Sequence, residues 1–126
     1  MTRQALQPEG VATPKPPFSQ VVVSGDLGLT AGQVGFDVDG ALVPGGIAEQ
    51  TRRALENLEA CLAAAGCGLG DVLRVGAFLA DLGDFEGYNE VYREFFEPPY
   101  PARTTVGAAL PGGILVEIEA VARRPA

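Results

Sequence analysis

Two glutamates on the last predicted strand are the first residues whose placement could do chemistry. In the segment Ile114–Ala122, strand alternation puts Glu117 and Glu119 on one face, between Leu115 and Val121. A carboxyl group partly buried among apolar neighbours has a raised pKa, which suits it to acid or base catalysis. The same pair would also fit a solvated sheet face, and both interpretations stay open at this point.

Arg103 is the second residue whose setting suggests chemistry. It follows the proline-rich segment 98–101 and precedes a β-branched run, so the backbone that carries it is restricted. A guanidinium held in this way can bind a carboxylate through two parallel hydrogen bonds. The alternative is a surface arginine paired with a neighbouring glutamate, which contributes little.

Composition excludes several other mechanisms. The 126-residue chain has no histidine, which removes Ser–His–Asp and Cys–His nucleophiles and histidine-ligated metals. Nine basic and 16 acidic residues give a net charge of −7, and the arginines are scattered, so we expect neither nucleic acid nor a membrane surface as a partner. Cys61 and Cys67 lack zinc-ligand spacing, so no metal site is predicted; Cys61 is expected as a small apolar core residue and Cys67 as a residue that follows the helix.

The N-terminal stretch is polar and proline-rich rather than signal-like. It lacks the apolar core of a secretory signal, and no run approaches bilayer-spanning length, so a cytoplasmic protein is expected. Residues 1–17 are predicted to be an extended lead-in that joins the fold near Phe18.

The hydrophobic pattern predicts one α+β domain over residues 1–126. Its elements alternate as β-β-β-α-β-α-β-β, which indicates a mixed six-stranded sheet with two helices on one face. The first helix starts at Ile47 and is stopped by Gly66, while the second carries an aromatic stripe expected in the core and is capped by Asp84. The predicted strands are 19–23, 27–33, 41–43, 72–79 (with Leu73, Val75, Ala77 and Leu79 on one face), 103–110 and 114–122.

Several short motifs carry a family resemblance. They are P-F-S-Q at 17–20, T-A-G-Q at 30–33, D-F with Asn89 and Tyr92 at 84–92, P-A-R-T at 101–104 and V-E-I-E-A at 116–120. In this order and spacing, residues 14–123 resemble the RidA/YjgF family of reactive-intermediate deaminases. The resemblance implies a chorismate-mutase-like subunit in a homotrimer, with ligand sites at the subunit interfaces. A sheet covered by its own helices on only one face agrees with this, because the other face needs a partner.

The resemblance also implies a reaction and its residues. Similar proteins hydrolyse small reactive 2-enamino and 2-imino acids to 2-keto acids and ammonia, and they use no metal or organic cofactor. By position, Arg103 is expected to bind the substrate carboxylate and Glu117 to orient or activate the attacking water, which makes these two the predicted catalytic residues. The other predicted substrate-binding residues are Phe18, Ala31, Gly32, Asn89 and Thr105.

Three of these positions depart from the best-known deaminases. Phe18 stands where they commonly have Tyr, Ala31 where they have Ser, and Thr105 where they often have Cys. The first two changes remove hydroxyl groups, which would shift the pocket toward apolar substrates or weaken catalysis. The alternative to a deaminase is therefore a non-catalytic, chaperone-like protein that binds small carboxylic acids. RNA cleavage is disfavoured by the acidic charge and the absence of histidine.

Overall fold

A mixed sheet of six strands carries two helices in the computed structural model, which describes residues 2–126. The sheet order is β1-β2-β3-β6-β4-β5, in which only β4 and β5 run parallel among the strands of the described residues. The strands are β1 (Gln4–Leu6), β2 (Val21–Ser24), β3 (Leu27–Thr30), β4 (Val72–Leu79), β5 (Ala102–Gly107) and β6 (Val116–Arg123). The helices are α1 (Ile47–Ala64) and α2 (Phe85–Phe95).

Both helices lie on the same face of the sheet, as the hydrophobic pattern predicted. Leu55, Leu58 and Leu62 of α1 recur at three- and four-residue steps and are fully buried, together with Leu79 and Ile118 of the sheet. The backbone N–H of Gly46 donates to the Glu49 carboxylate at 2.8 Å and so caps the start of α1. The helix ends before Gly66, whose φ of 79° favours glycine.

Two predictions about the first strands are wrong. Residues 1–17 are more than a lead-in, because Gln4–Leu6 already pairs with β2 and forms one edge of the sheet. Residues 41–43 do not form a strand, since this segment contributes only a single bridge between Phe36 and Leu42. The predicted number of strands is therefore correct, but β1 takes the place of the segment 41–43.

Two local details also differ from prediction. A bulge between Val72 and Arg74 shifts the register of β4, so Leu73 is 48% exposed instead of sharing the buried face. Asp84 stands at the N-cap position of α2, but its side chain makes no capping hydrogen bond. Strands β2, β3, β5 and β6 are also shorter at one end than the sequence predicted.

The second face of the sheet has no helix on it within residues 2–126. Directly opposite residues on neighbouring strands share a face, which places Val106, Phe78 and Glu117 together and Leu29 beside Val121. Leu29 and Val106 are 39% and 43% exposed. No helix in residues 2–126 has the length and apolarity needed to cross a membrane.

Both cysteines lie in the core, Cys61 as predicted and Cys67 just after α1. Cys61 and Cys67 are buried and free, and burial raises the pKa of the Cys61 thiol to about 12. Within residues 2–126, no group of three or more His, Cys, Asp or Glu side chains is arranged to hold a metal ion.

Candidate functional site

Arg103 lies among aromatic side chains of α2. Its guanidinium carbon is 4.7 Å from the centre of the Tyr92 ring, 5.2 Å from that of Tyr88 and 5.8 Å from that of Phe85. Nη1 donates to Asn89 Oδ1 at 2.9 Å and, at 3.5 Å, to the Tyr88 hydroxyl. These contacts fix the plane of the guanidinium. Nε and Nη2 donate to no atom within residues 2–126, so this side of the fork is free for a carboxylate.

Arg103 lines a cavity of about 260 Å³, hereafter the Arg103 cavity. Asn89, Tyr92 and Arg93 of α2 reach it because residues three and four apart share a helix face. Thr105 follows two residues later on the same face of β5, and its buried hydroxyl lies next to Tyr88. The lining residues are Asn89, Tyr92, Arg93, Tyr100, Pro101 and Arg103, and none of them is acidic.

The phenols around Arg103 stay protonated at neutral pH. Burial raises the pKa of Tyr92 to about 12, and burial likewise raises the pKa of Tyr88, against the opposing effect of the Arg103 charge. The Tyr92 hydroxyl is buried and makes no hydrogen bond within residues 2–126. The aromatic stripe is thus mostly core, as predicted, but Tyr88 and Tyr92 also hold Arg103. The feature of the sequence that could have indicated this contact with Arg103 is the position of Tyr88 and Tyr92 around Asn89, which belongs to one of the family motifs.

Glu117 lies in a second cavity, of about 170 Å³, hereafter the Glu117 cavity, together with Phe18 and Gly32. Its carboxylate rests directly on the backbone of Gly32, where a Cβ would contact Oε2 and lie 2.6 Å from Cδ. Burial raises the pKa of Glu117, and the nearby Glu119 carboxylate raises it further. Glu117 is therefore a partly desolvated carboxylate with an elevated pKa, as the sequence suggested.

Hydrogen bonds fix the segment that carries Gly32. Gln33 is joined to Ile118 of β6 by two backbone hydrogen bonds, of 2.7 and 2.9 Å. Its side-chain Nε2 donates to Gln20 Oε1 at 2.7 Å, and the Ala31 N–H donates to the Gln20 carbonyl at 2.8 Å. Ala31 is thereby held next to Gly32 but does not line the Glu117 cavity itself.

The two predicted catalytic residues are not brought together within one protomer. Arg103 is opposite Val75 of β4, whereas Glu117 is opposite Phe78. Because Val75 and Phe78 are three residues apart, their side chains point to opposite faces of the sheet and lie about 10 Å apart along the strand. The predicted residues thus divide into two groups, Arg103 with Asn89 and Thr105, and Glu117 with Phe18 and Gly32.

Comparisons with known proteins agree with the fold and the motifs. A family model described as Endoribonuclease L-PSP matches residues 10–124. A 2-iminobutanoate/2-iminopropanoate deaminase of Homo sapiens is 44% identical over 108 residues, which cover 84% of this chain and 79% of the human protein. A RutC family protein of Pyrococcus abyssi is 41% identical over 124 residues, covering 97% of this chain and 98% of that protein. The crystal structure of E. coli TdcF with bound serine superposes with a TM-score of 0.89 at 35% identity, covering 97% of this chain and 99% of TdcF.

Proposed function

The chain belongs to the Endoribonuclease L-PSP family, also called RidA/YjgF, and we propose that it is a hydrolytic deaminase of small reactive 2-imino and 2-enamino acids. The products are a 2-keto acid and ammonia. The observation that carries the proposal is Arg103, which lines a cavity without acidic residues and whose Nε and Nη2 groups have no acceptor within residues 2–126. The identity to proteins named 2-iminobutanoate/2-iminopropanoate deaminase supports the same reaction class.

In this proposal, Arg103 binds and positions the substrate, and Glu117 transfers protons. Arg103 binds the substrate carboxylate and so fixes the position of the C2 carbon of the imine. As the water oxygen bonds to C2, the C=N double bond becomes single, and the Glu117 carboxylate takes a proton from the water and returns it to the imine nitrogen. In the resulting carbinolamine, the O–H proton passes through Glu117 to the amino group. The C–N bond then breaks, and ammonia leaves as the C=O bond of the keto acid forms. The raised pKa of Glu117 suits a group that takes up a proton and returns it near neutral pH.

We further propose that each site is shared between two protomers of a homotrimer. The placement of Arg103 and Glu117 on opposite faces of one sheet supports this, because a single protomer cannot present both to one small molecule. The exposed apolar side chains Leu29 and Val106 on the face without helices supply a surface for the neighbouring subunit.

The first test measures keto-acid release from an imine generated in the assay by an amino-acid dehydratase. Addition of the protein is expected to accelerate release, and Arg103→Ala to abolish the acceleration. Arg52→Ala is the matched control, since Arg52 is an exposed arginine paired with Glu94 on the helix surface. The proposal fails if the native protein releases keto acid no faster than Arg103→Ala.

Mixing inactive variants tests whether the site is shared. Arg103→Ala and Glu117→Gln are each expected to be inactive alone. After co-assembly of equal amounts, random mixing gives about a quarter of the interfaces an intact Arg103 and an intact Glu117 from different protomers. Recovery of about a quarter of native activity is the expected result, and no recovery from demonstrably mixed trimers would contradict the shared site.

The second candidate function is binding of small carboxylic acids without turnover. It is favoured by the Glu117 cavity, where Phe18 supplies an apolar ring and no hydroxyl. Calorimetry separates the candidates, because a binding protein would retain 2-ketobutanoate through Arg103 while showing no acceleration of imine hydrolysis.

A further inference from the structure

The Arg103 cavity holds more positive charge than one carboxylate requires. Arg93 lines the same cavity, and neither arginine has a carboxylate within 4.0 Å among residues 2–126. Arg52 and Arg123 each pair with an acidic side chain, and the other arginines outside this cavity, except the exposed Arg3, donate to carbonyl or hydroxyl oxygens. In a chain of net charge −7, two unpaired arginines around one cavity without an acidic residue mark it as a site for an anion.

A single carboxylate would leave part of this site unused. The Nε and Nη2 groups of Arg103 suffice for one bidentate carboxylate. Arg93 then remains without a carboxylate partner among residues 2–126.

The place of Arg93 in α2 does not by itself explain this arrangement. A cation in the last turn of a helix interacts favourably with the helix dipole, wherever around the helix it lies. Arg93, however, lies four residues after Asn89 and one after Tyr92, on the side of α2 that borders the cavity. The helix dipole explains why a cation is favourable in this turn, but it does not explain why Arg93 lies on the side of α2 that borders the cavity.

We propose that Arg93 binds a second anionic group of the substrate, so that this protein prefers 2-imino dicarboxylic acids to monocarboxylic ones. This inference rests on the proposed function and specifies its substrate class. Such compounds arise when the α-amino group of an acidic amino acid is oxidised to the imine. Arg103 holds the carboxylate next to C2, and Arg93 holds the distal one. Arg93 is thus a specificity-determining residue that takes no part in the reaction at C2.

The test compares kcat/KM for an imino dicarboxylate and an imino monocarboxylate, each generated in the assay by an amino-acid oxidase in the presence of catalase. Arg93→Gln is expected to lower kcat/KM for the dicarboxylate about tenfold, because one partly solvated charge-assisted contact is lost. The value for the monocarboxylate is expected to change less than about twofold by the same reasoning. Arg52→Gln, at an exposed position, is the control and leaves the preference unchanged.

Added salt provides a second readout, since it screens the exposed Arg93 contact and reduces the preference of the native protein. The inference is overturned if Arg93→Gln affects both substrates equally or neither. If the protein hydrolyses imines without this dependence, the inference fails and the proposed function stands.

Calorimetry with succinate and butanoate tests the case in which the anion site exists but the protein is not a deaminase. If the protein hydrolyses neither imine but binds succinate more tightly through Arg93, the proposed function fails and the anion site stands. Equal binding of the two acids by the native protein would contradict the site.

Discussion

Substitution of Gly32 by alanine tests the placement of Glu117 directly. The added Cβ would contact Glu117 Oε2 and lie 2.6 Å from Cδ and 2.7 Å from Cγ, whereas ordinary contacts begin at 3.4 Å. The clash involves only side-chain atoms of Glu117, from Cγ to Oε2, so this side chain is expected to move while the backbone stays. It must retreat by about 1 Å, a displacement that in an active site costs roughly 100-fold in rate.

Stability is expected to change little in the same variant. Gly32 has no positive φ, so alanine is not strained there, and replacing glycine stabilises by about 0.4–1 kcal/mol through the unfolded state. This gain offsets the cost of moving Glu117. The expected result is therefore a loss of about 100-fold in kcat/KM with a nearly unchanged Tm.

The assay is keto-acid release from an in situ imine, with thermal unfolding followed in parallel. Gly70→Ala is the matched control, because a Cβ at Gly70 meets nothing within 4 Å. Activity of Gly32→Ala within twofold of Gly70→Ala would refute the assignment of Glu117 to the reaction. A large fall in Tm would refute the reasoning that only the side chain moves.

Three further predictions follow from the charges around the two cavities. Asn89→Asp places a carboxylate against Arg103 Nη1, where the Asn89 amide oxygen is now 2.9 Å away. This carboxylate competes with the substrate for Arg103, so the substitution is expected to raise KM on the order of tenfold, and more than Asn89→Ala does. An equal effect of Asn89→Ala would contradict competition for the guanidinium. Glu119→Gln removes the negative charge that raises the pKa of Glu117, so the acidic limb of the kcat/KM profile is expected to move to lower pH, and an unmoved limb would show that Glu117 does not set it. Glu117→Gln is expected to raise Tm relative to the native protein more at pH 7 than at pH 4. The folded-state pKa of Glu117 lies above its ordinary value of 4.5, so its contribution to stability is present below that value and is lost as pH rises through the folded-state pKa. A Tm difference that is the same at both pH values would contradict the raised pKa.

Local patterns explain most of what the sequence predicted correctly. Three- and four-residue spacing identified α1 and α2, and glycine at 66 marked the helix end. Alternation along β6 separated Glu117 from the core side of that strand, and burial confirmed it. These features depend on neighbours a few residues away, so one sequence suffices to find them.

Features that depend on distant pairing escaped prediction. The segment 41–43 follows an Asp-Gly turn and is apolar like a strand, but its hydrogen bonds go to its own loop near Phe36 and not to a sheet neighbour. The bulge at Leu73 is fixed by the register against β6. The opposite orientations of Arg103 and Glu117 follow from how β5 and β6 flank β4, and nothing in either motif encodes that register.

The position of β1 has a practical consequence for handling this protein. Gln4–Leu6 covers the outer side of β2, and Arg53 Nη2 holds the returning chain through the Gly10 carbonyl at 3.2 Å. Without that cover, β2 would offer unpaired N–H and C=O groups to strands of other molecules, which is a route to aggregation. Trimming or proteolytic nicking before Gly10 is therefore expected to lower the solubility of the protein by exposing β2.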